Sequence, residues 1–118
     1  MPSANYDLII EKGATFTLSI IWKDSDLVPI NLTEYSARMQ IRKNYQDNEI
    51  ILLLNSAGSD AEITLGGSAG TINIEVSATI TATLNNCRGV YDLELVHTNG
   101  TVLRLMSGSI TISPEVTR

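Results

Sequence analysis

Few side chains in this sequence could do chemistry, and none has an obvious chemical partner. His97 is the only histidine and Cys87 the only cysteine among 118 residues. A general base needs a positioned partner, and a catalytic thiol needs a base beside it. A single cysteine also excludes an internal disulfide or a cysteine cluster for zinc, and it favours synthesis in a reducing compartment. We therefore expect His97 to be a solvated strand-end residue and Cys87 to be structural.

Two carboxylate pairs are candidates for binding a divalent cation or for acting on a glycosidic bond. Asp24 and Asp26 flank a polar loop, and Asp92 and Glu94 lie two residues apart on one face of a predicted strand. The first pair lacks the glycine and the distant glutamate of a calcium loop, and loop aspartates often cap turns. The second pair is typical of the wet face of a sheet. We predict no catalytic residue, no metal site and no cofactor.

The sequence also lacks the features that bind phosphate groups. The glycine-rich run at residues 66–70 has no following lysine and helix, so it predicts a turn and not a phosphate-binding loop. There are 8 basic and 13 acidic side chains, giving a net charge of −5. The one local basic group, at residues 38–43, is followed closely by Asp47 and Glu49. Binding to nucleic acid requires clustered basic side chains, so we predict no nucleic-acid partner.

The composition favours an all-β chain. Ile, Val and Thr account for 32 of the 118 residues, and β-branched side chains fit a pleated sheet better than a helix. The length is that of one domain, so residues 1–118 are predicted to form a single β-sandwich domain. The longest wholly apolar run, residues 50–54, is far too short to cross a bilayer, and residues 1–8 do not resemble a secretory signal. We expect no membrane association.

Alternation of apolar and polar residues indicates the strands. The clearest strand places Phe16, Leu18, Ile20 and Trp22 on one face, which we predict to lie in the core. Residues 50–54 lack alternation, which predicts burial on both faces by the core and by a neighbouring subunit. Further strands are predicted at residues 6–11, 37–42, 63–65, 72–76, 91–96, 101–106 and 110–112.

Two connections between these strands have their own signals. Ser77 is a suitable N-cap, and Ile80 and Leu84 would share a helical face, so residues 77–84 predict a short helical crossover. Asn99-Gly100 predicts a hairpin with a type I′ turn. Eight or nine strands and one short helical crossover favour an immunoglobulin-like antiparallel β-sandwich over a barrel.

Some apolar residues fall on the outward side of this pattern. If Trp22 faces the core, Ile21 points outward, and Val96 and part of residues 50–54 do the same. Several outward apolar residues on neighbouring strands would form an interaction surface. We predict an interface made by Ile21, Ile51, Leu53 and Val96, which joins copies of the chain or a ring of partners. The alternative is that these are single exposed side chains with no role, as is common on protein surfaces.

Several segments resemble small structural proteins of tailed bacteriophages and prophages. They are YDL (6–8), EKGATF (11–16), WKD (22–24), INLTEYSARMQIR (30–42), GVYDLEL (89–95) and the closing residues 108–116. The pattern is similar in kind to the immunoglobulin-like N-terminal domain of phage baseplate upper proteins. It consists of strand and turn residues and carries no catalytic signature.

The resemblance implies a non-enzymatic virion component, made in the bacterial host cytoplasm, with other virion proteins as partners. A tail or baseplate component, or an adaptor for fibre attachment, is the leading expectation. No fibre-forming or receptor-binding region follows Arg118 in this sequence, which favours an adaptor or decoration role over receptor binding. Capsid decoration is the nearest alternative. A carbohydrate-binding module is a further alternative, with Trp22, Tyr35 and Tyr45 as its stacking rings, although aromatic residues make up only 5% of the chain.

Overall fold

The computed structural model describes residues 4–57, 61–85 and 87–114. These residues form nine strands, one short α-helix and one turn of 3₁₀-helix at Gly67–Ala69. The strands are β1 (Ala4–Asn5), β2 (Leu8–Glu11), β3 (Phe16–Ile21), β4 (Tyr35–Arg42), β5 (Ile50–Asn55), β6 (Ile63–Leu65), β7 (Thr71–Val76), β8 (Cys87–His97) and β9 (Val102–Ser113). The helix α1 spans Ala78–Ala82. The predicted all-β class is confirmed.

The strands form two sheets that pack face to face. The larger sheet has the order β1-β9-β8-β4-β5, with β2 also paired to β9, and the smaller sheet has the order β3-β7-β6. This arrangement matches the G-F-C-C′ and B-E-D strands of the immunoglobulin fold. The first strand differs from the constant-type arrangement, because β1 and β2 run parallel to β9 and leave β3 without a neighbour on one side.

Strands β1 and β2 run along β9 in one register and are separated by Tyr6 and Asp7. The Tyr6 carbonyl accepts a hydrogen bond from the Tyr91 hydroxyl, and a Cβ added to Gly108 would lie 2.3 Å from the same carbonyl oxygen. Only glycine at position 108 therefore lets the chain pass this close to β9. Burial raises the pKa of Tyr91 to about 12, so this hydroxyl keeps its proton and donates at neutral pH.

The core lies between the sheets and is almost entirely aliphatic. Its fully buried large side chains are Ile10, Leu32, Met39, Ile41, Leu54, Ile63, Ile72, Ile74, Val76, Leu93, Leu95 and Ile110. The predicted inward face of β3 packs against this core, but Phe16, Leu18, Ile20 and Trp22 are only partly buried. The facing of β3 is therefore confirmed, whereas full burial is wrong. The physical reason is that β3 is an edge strand whose inner side chains are covered from one side only.

The two predicted connections are present, with one correction. Ser77 caps α1 by accepting a hydrogen bond from the Ile80 N–H (3.3 Å). The hairpin between β8 and β9 is also present, closed by the His97 N–H donating to the Thr101 carbonyl (2.8 Å). Gly100 has φ of 94°, whereas Asn99 is not among the described non-glycine residues with positive φ. The type I′ prediction is wrong, because a three-residue loop needs a left-handed residue only at its last position.

Strand β5 has one face against the core and one face exposed. Leu54 is buried and pairs with Met39, but Leu53 faces the opposite way beside Gln40 and is 48% exposed. Residue Ile51 is an extra residue in the ladder between β4 and β5, where the register shifts. The bulge interrupts the alternation of inward and outward side chains along β5. One added residue reverses which side chains face the core beyond the bulge. One face of β5 lies against the core as predicted, and coverage of the outward residues by a neighbouring subunit stays a prediction.

Candidate interaction surface

The outer face of the larger sheet carries a row of ion pairs. Arg38 Nε lies 2.8 Å from Glu94 Oε1, and Arg104 Nε lies 3.7 Å from Asp92 Oδ2. Burial raises the pKa of the Asp92 carboxyl, and the neighbouring Glu94 adds to the rise. The carboxylates predicted on the wet face of this strand thus bind arginines of adjacent strands. This arrangement stabilises a solvated face and leaves no carboxylate pair poised on an open site.

His97 belongs to a small cluster at the start of β4. Its ring contacts Tyr35 edge to face at 4.8 Å, and its Nε2 lies 3.3 Å from Glu34 Oε2. Its Nδ1 accepts a hydrogen bond from the Asn99 N–H (3.1 Å). The expected position at a strand end is confirmed, since β8 ends at His97, whereas the expectation of a solvated ring is wrong. The side chain packs on Tyr35 and helps to close the hairpin, because its ring spans the distance between the turn and β4.

The three rings considered for carbohydrate stacking do not form one platform. Trp22 and Tyr35 pack edge to face with 5.9 Å between ring centroids, and both are partly buried. Tyr45 is exposed and follows the other end of β4. Seven residue steps separate the two ends of β4 by roughly 23 Å. A sugar stacked on Tyr45 would therefore not reach Trp22 or Tyr35.

The remaining chemical candidates lie apart from one another. Asp24 Oδ1 accepts hydrogen bonds from the N–H groups of Asp26 and Val28, so this carboxylate organises its own loop. Cys87 is partly buried at the start of β8. In the described residues, no three His, Cys, Asp or Glu side chains come together as a metal site. In the same residues, no helix has the length and apolar character to span a membrane.

The four predicted interface residues do not form a single patch. Ile21 ends β3 on the smaller sheet and is 54% exposed. Leu53 and the partly buried Val96 lie on the outer face of the larger sheet, with β4 between their strands. Ile51 is the partly buried extra residue of β5. Strand geometry puts Leu53 and Val96 roughly 16 Å apart. The interface assignment stays a prediction, with Ile21 and Val96 belonging to different surfaces.

An apolar groove opens between β3 and the larger sheet. Its volume is about 350 Å³, and its lining comprises Tyr6, Leu18, Ser19, Ile20, Leu105 and Met106. We call β3 together with Tyr6, Leu105 and Met106 the open edge. Tyr6 is 57% exposed there, and Ile21 lies next to the groove residue Ile20. The open edge thus combines a strand that is unpaired on one side with exposed apolar side chains, features that are typical of interaction surfaces.

Sequence reasoning missed Leu105 and Met106 as parts of this surface. The ladder between β8 and β9 shifts register here, because Leu93 pairs with Met106 and Glu94 with Arg104. Leu105 is the extra residue, and both it and Met106 line the groove. Alternation cannot place two consecutive residues on one surface. The run Leu103 to Met106, apolar except for Arg104, is the only signal in the sequence.

Comparison with known proteins adds no assignment. No protein-family model matches this chain, and no curated protein matches it either.

Proposed function

We propose that this chain is a non-enzymatic structural protein of a tailed-phage virion. In this proposal it serves as a tail or baseplate component, or as an adaptor for fibre attachment, and it acts through strand surfaces. The observation that carries the proposal is the open edge, a strand unpaired on one side that lies beside an apolar groove on an otherwise well-packed sandwich. The resemblance of its strand and turn residues to phage structural proteins supports placing that surface in a particle.

Contacts that repeat around symmetry axes hold the proteins of a virion together. A virion repeats its parts around symmetry axes, so a small protein within it must bury surface against copies or against a ring of partners. Interfaces draw their energy from a few central apolar or aromatic anchors. Ile21 and Tyr6 are exposed at the open edge and supply anchors of this kind.

The proposal is tested by locating the protein in particles. Purified virions of the encoding phage are separated into heads and tails, and each fraction is quantified by mass spectrometry. We expect many copies of the chain in the tail fraction. Copies in the head fraction alone would support capsid decoration instead, and detection in infected-cell lysate but never in particles would contradict the proposal.

Charge substitution at two separate surfaces shows which one the particle uses. Ile21→Asp places a carboxylate at the open edge, and Val96→Asp places one on the outer face of the larger sheet, where Ser36 and Val102 are its neighbours. Both side chains point away from the core, so both variants should stay folded. We expect Ile21→Asp to abolish incorporation. Normal incorporation of both variants would mean that these residues are single exposed side chains without a role.

A further inference from the structure

We propose that β3 pairs with β3 of a second copy of this chain, so that two small sheets join into one six-stranded sheet. The inference rests on the proposed structural role and identifies one contact within it. It starts from the edges of the two sheets. A long, regular and uncharged edge strand is a hazard that natural proteins normally block with charge, proline, a bulge or a short length.

The other described edges carry such protection, and β3 does not. Strand β6 has three residues, β1 has two, β2 has four and ends with the charged Glu11, and β5 contains the bulge at Ile51. Strand β3 has six residues in unbroken register with β7. It contains neither proline nor any charged side chain. An edge of this kind is suited to pairing with another strand.

The backbone groups available for pairing follow from the ladder. The Trp22 N–H donates to the Gly70 carbonyl (2.8 Å) at the end of the β3–β7 pair. Hydrogen-bonded positions alternate along an antiparallel pair, so every second residue of β3 turns its N–H and C=O away from β7. These outward positions are Thr17, Ser19 and Ile21. In the described part of the chain, none of the three has a further backbone partner.

A two-fold axis through Ser19 uses all three outward positions. In the antiparallel register that it creates, Ser19 faces Ser19 of the second copy, and Thr17 faces Ile21. Each facing pair exchanges two hydrogen bonds, apart from slight fraying at the ends. The edge is therefore complementary to itself, as a two-fold interface requires.

The same register joins the apolar faces. On the inner side Leu18 faces Ile20, and Phe16 faces Trp22, at the positions where cross-strand side chains approach most closely. All four side chains are only partly buried in the single chain. Pairing covers them from the side that the chain itself leaves open, next to the apolar groove at Leu18 and Ile20.

The distribution of charge favours this edge as the place where two copies meet. The chain has a net charge of −5, so two copies repel each other over most of their surfaces. Residues 13–22 contain no charged side chain, and in this register Lys23 faces Thr15 while Asp24 faces Ala14. No like charges meet along the strand. A partner that recognises charged side chains would find no charged side chain to bind on this strand.

The test measures the mass of the isolated protein and of three variants by analytical ultracentrifugation. We expect the 12.8 kDa chain to dimerise reversibly. Ser19→Lys should raise the dimer Kd at least about 100-fold, because it puts two ammonium groups face to face. Ser19→Pro removes an outward N–H that the fold does not use, and an edge strand tolerates proline there, so it should also give a monomer. Thr64→Lys is the matched control, an exposed residue on the opposite edge of the same sheet.

A cross-link tests the register. Facing residues of a hydrogen-bonded pair have Cα atoms about 5.5 Å apart, which is within disulfide range. With Cys87 replaced by Ser, Ser19→Cys should form a covalent dimer on mild oxidation. Thr17→Cys should not, because two strand positions on each copy place the two thiols roughly 13 Å apart.

A monomer at about 100 μM, a dimer insensitive to Ser19→Lys, or cross-linking through Thr17→Cys alone would each overturn the inference. A monomer whose Ile21→Asp variant still fails to enter particles would show that another virion protein occupies the edge. That result overturns the second copy as the occupant and leaves the proposed function standing. Absence of the wild-type chain from particles contradicts the proposed function, whatever the mass in solution.

Discussion

Strands β3 and β5 end different sheets, and they expose their apolar residues in different ways. On β5 the inward Leu54 is 1% exposed, and Ile51 bulges out of the ladder. The loop before β5 is held by Arg42, whose Nη1 donates to the Asp47 carbonyl (2.7 Å). On β3 no inward side chain is fully buried and the ladder is regular. The comparison teaches that β5 covers its inward leucine and interrupts its edge with a bulge, whereas β3 keeps a regular edge and only partly buried inward side chains.

The largest expected effect is the difference in unfolding free energy lost when one inward leucine of each edge strand is replaced by alanine. Leu54→Ala on β5 should lower the free energy of unfolding by about 3 kcal/mol, because it leaves a cavity in a covered core. Leu18→Ala on β3 should cost only about 1 kcal/mol in the monomer, since its side chain is partly solvated already. Urea denaturation of both variants in the Ser19→Lys background measures these losses without a contribution from dimerisation. Equal losses would contradict the distinction between the edges.

A smaller effect is expected from the hydrogen bond between Tyr91 and Tyr6, which is part of the open edge. Tyr91→Phe removes the hydrogen bond to the Tyr6 carbonyl and should cost about 1 kcal/mol at pH 7. The native pKa of Tyr91 is about 12 and lies above its ordinary value of 10.0, so the wild type loses stability as the pH rises from 10 to 12. Phenylalanine has no such loss. Denaturation at pH 7 and pH 11 should therefore show the variant's deficit shrinking at the higher pH, and a constant deficit would contradict this account.

The smallest effect concerns Asp92, on the outer face of the larger sheet where the ion pairs lie. The pKa of Asp92 is raised by burial, so the native state holds this proton more tightly than the unfolded state, and stability falls as pH rises through that window. Asp92→Asn should gain less than about 0.5 kcal/mol at pH 7, because a side chain that is 37% exposed is screened by solvent. The gain should vanish as the pH falls below the ordinary value of 3.8. A variant less stable than wild type at pH 7 would show that the Arg104 contact outweighs the burial.

Local patterns in the sequence determined the elements and their faces. Alternation correctly places Leu18 inward and Ile21 outward, because a strand turns successive side chains to opposite faces wherever it lies. The N-cap at Ser77 and the hairpin at Asn99-Gly100 are equally local, since each depends on hydrogen bonds within a few residues. The scattered chemistry at His97 and Cys87 was also visible in the sequence, although the packing of His97 on Tyr35 was not.

Only the tertiary structure decided that β3 has no neighbouring strand on one side. Strands β1 and β2 pair with β9 and not with β3, and that choice opens the groove at Leu18 and Ile20. The bulges at Ile51 and Leu105 arise in the same way, from the register that each strand finds against its partner. The alternation of apolar and polar residues predicts which side chains share a face of a strand. It carries no information about which strand lies alongside. Strand pairing is a contact between residues far apart in the chain, so the open edge exists only once the sheets have formed.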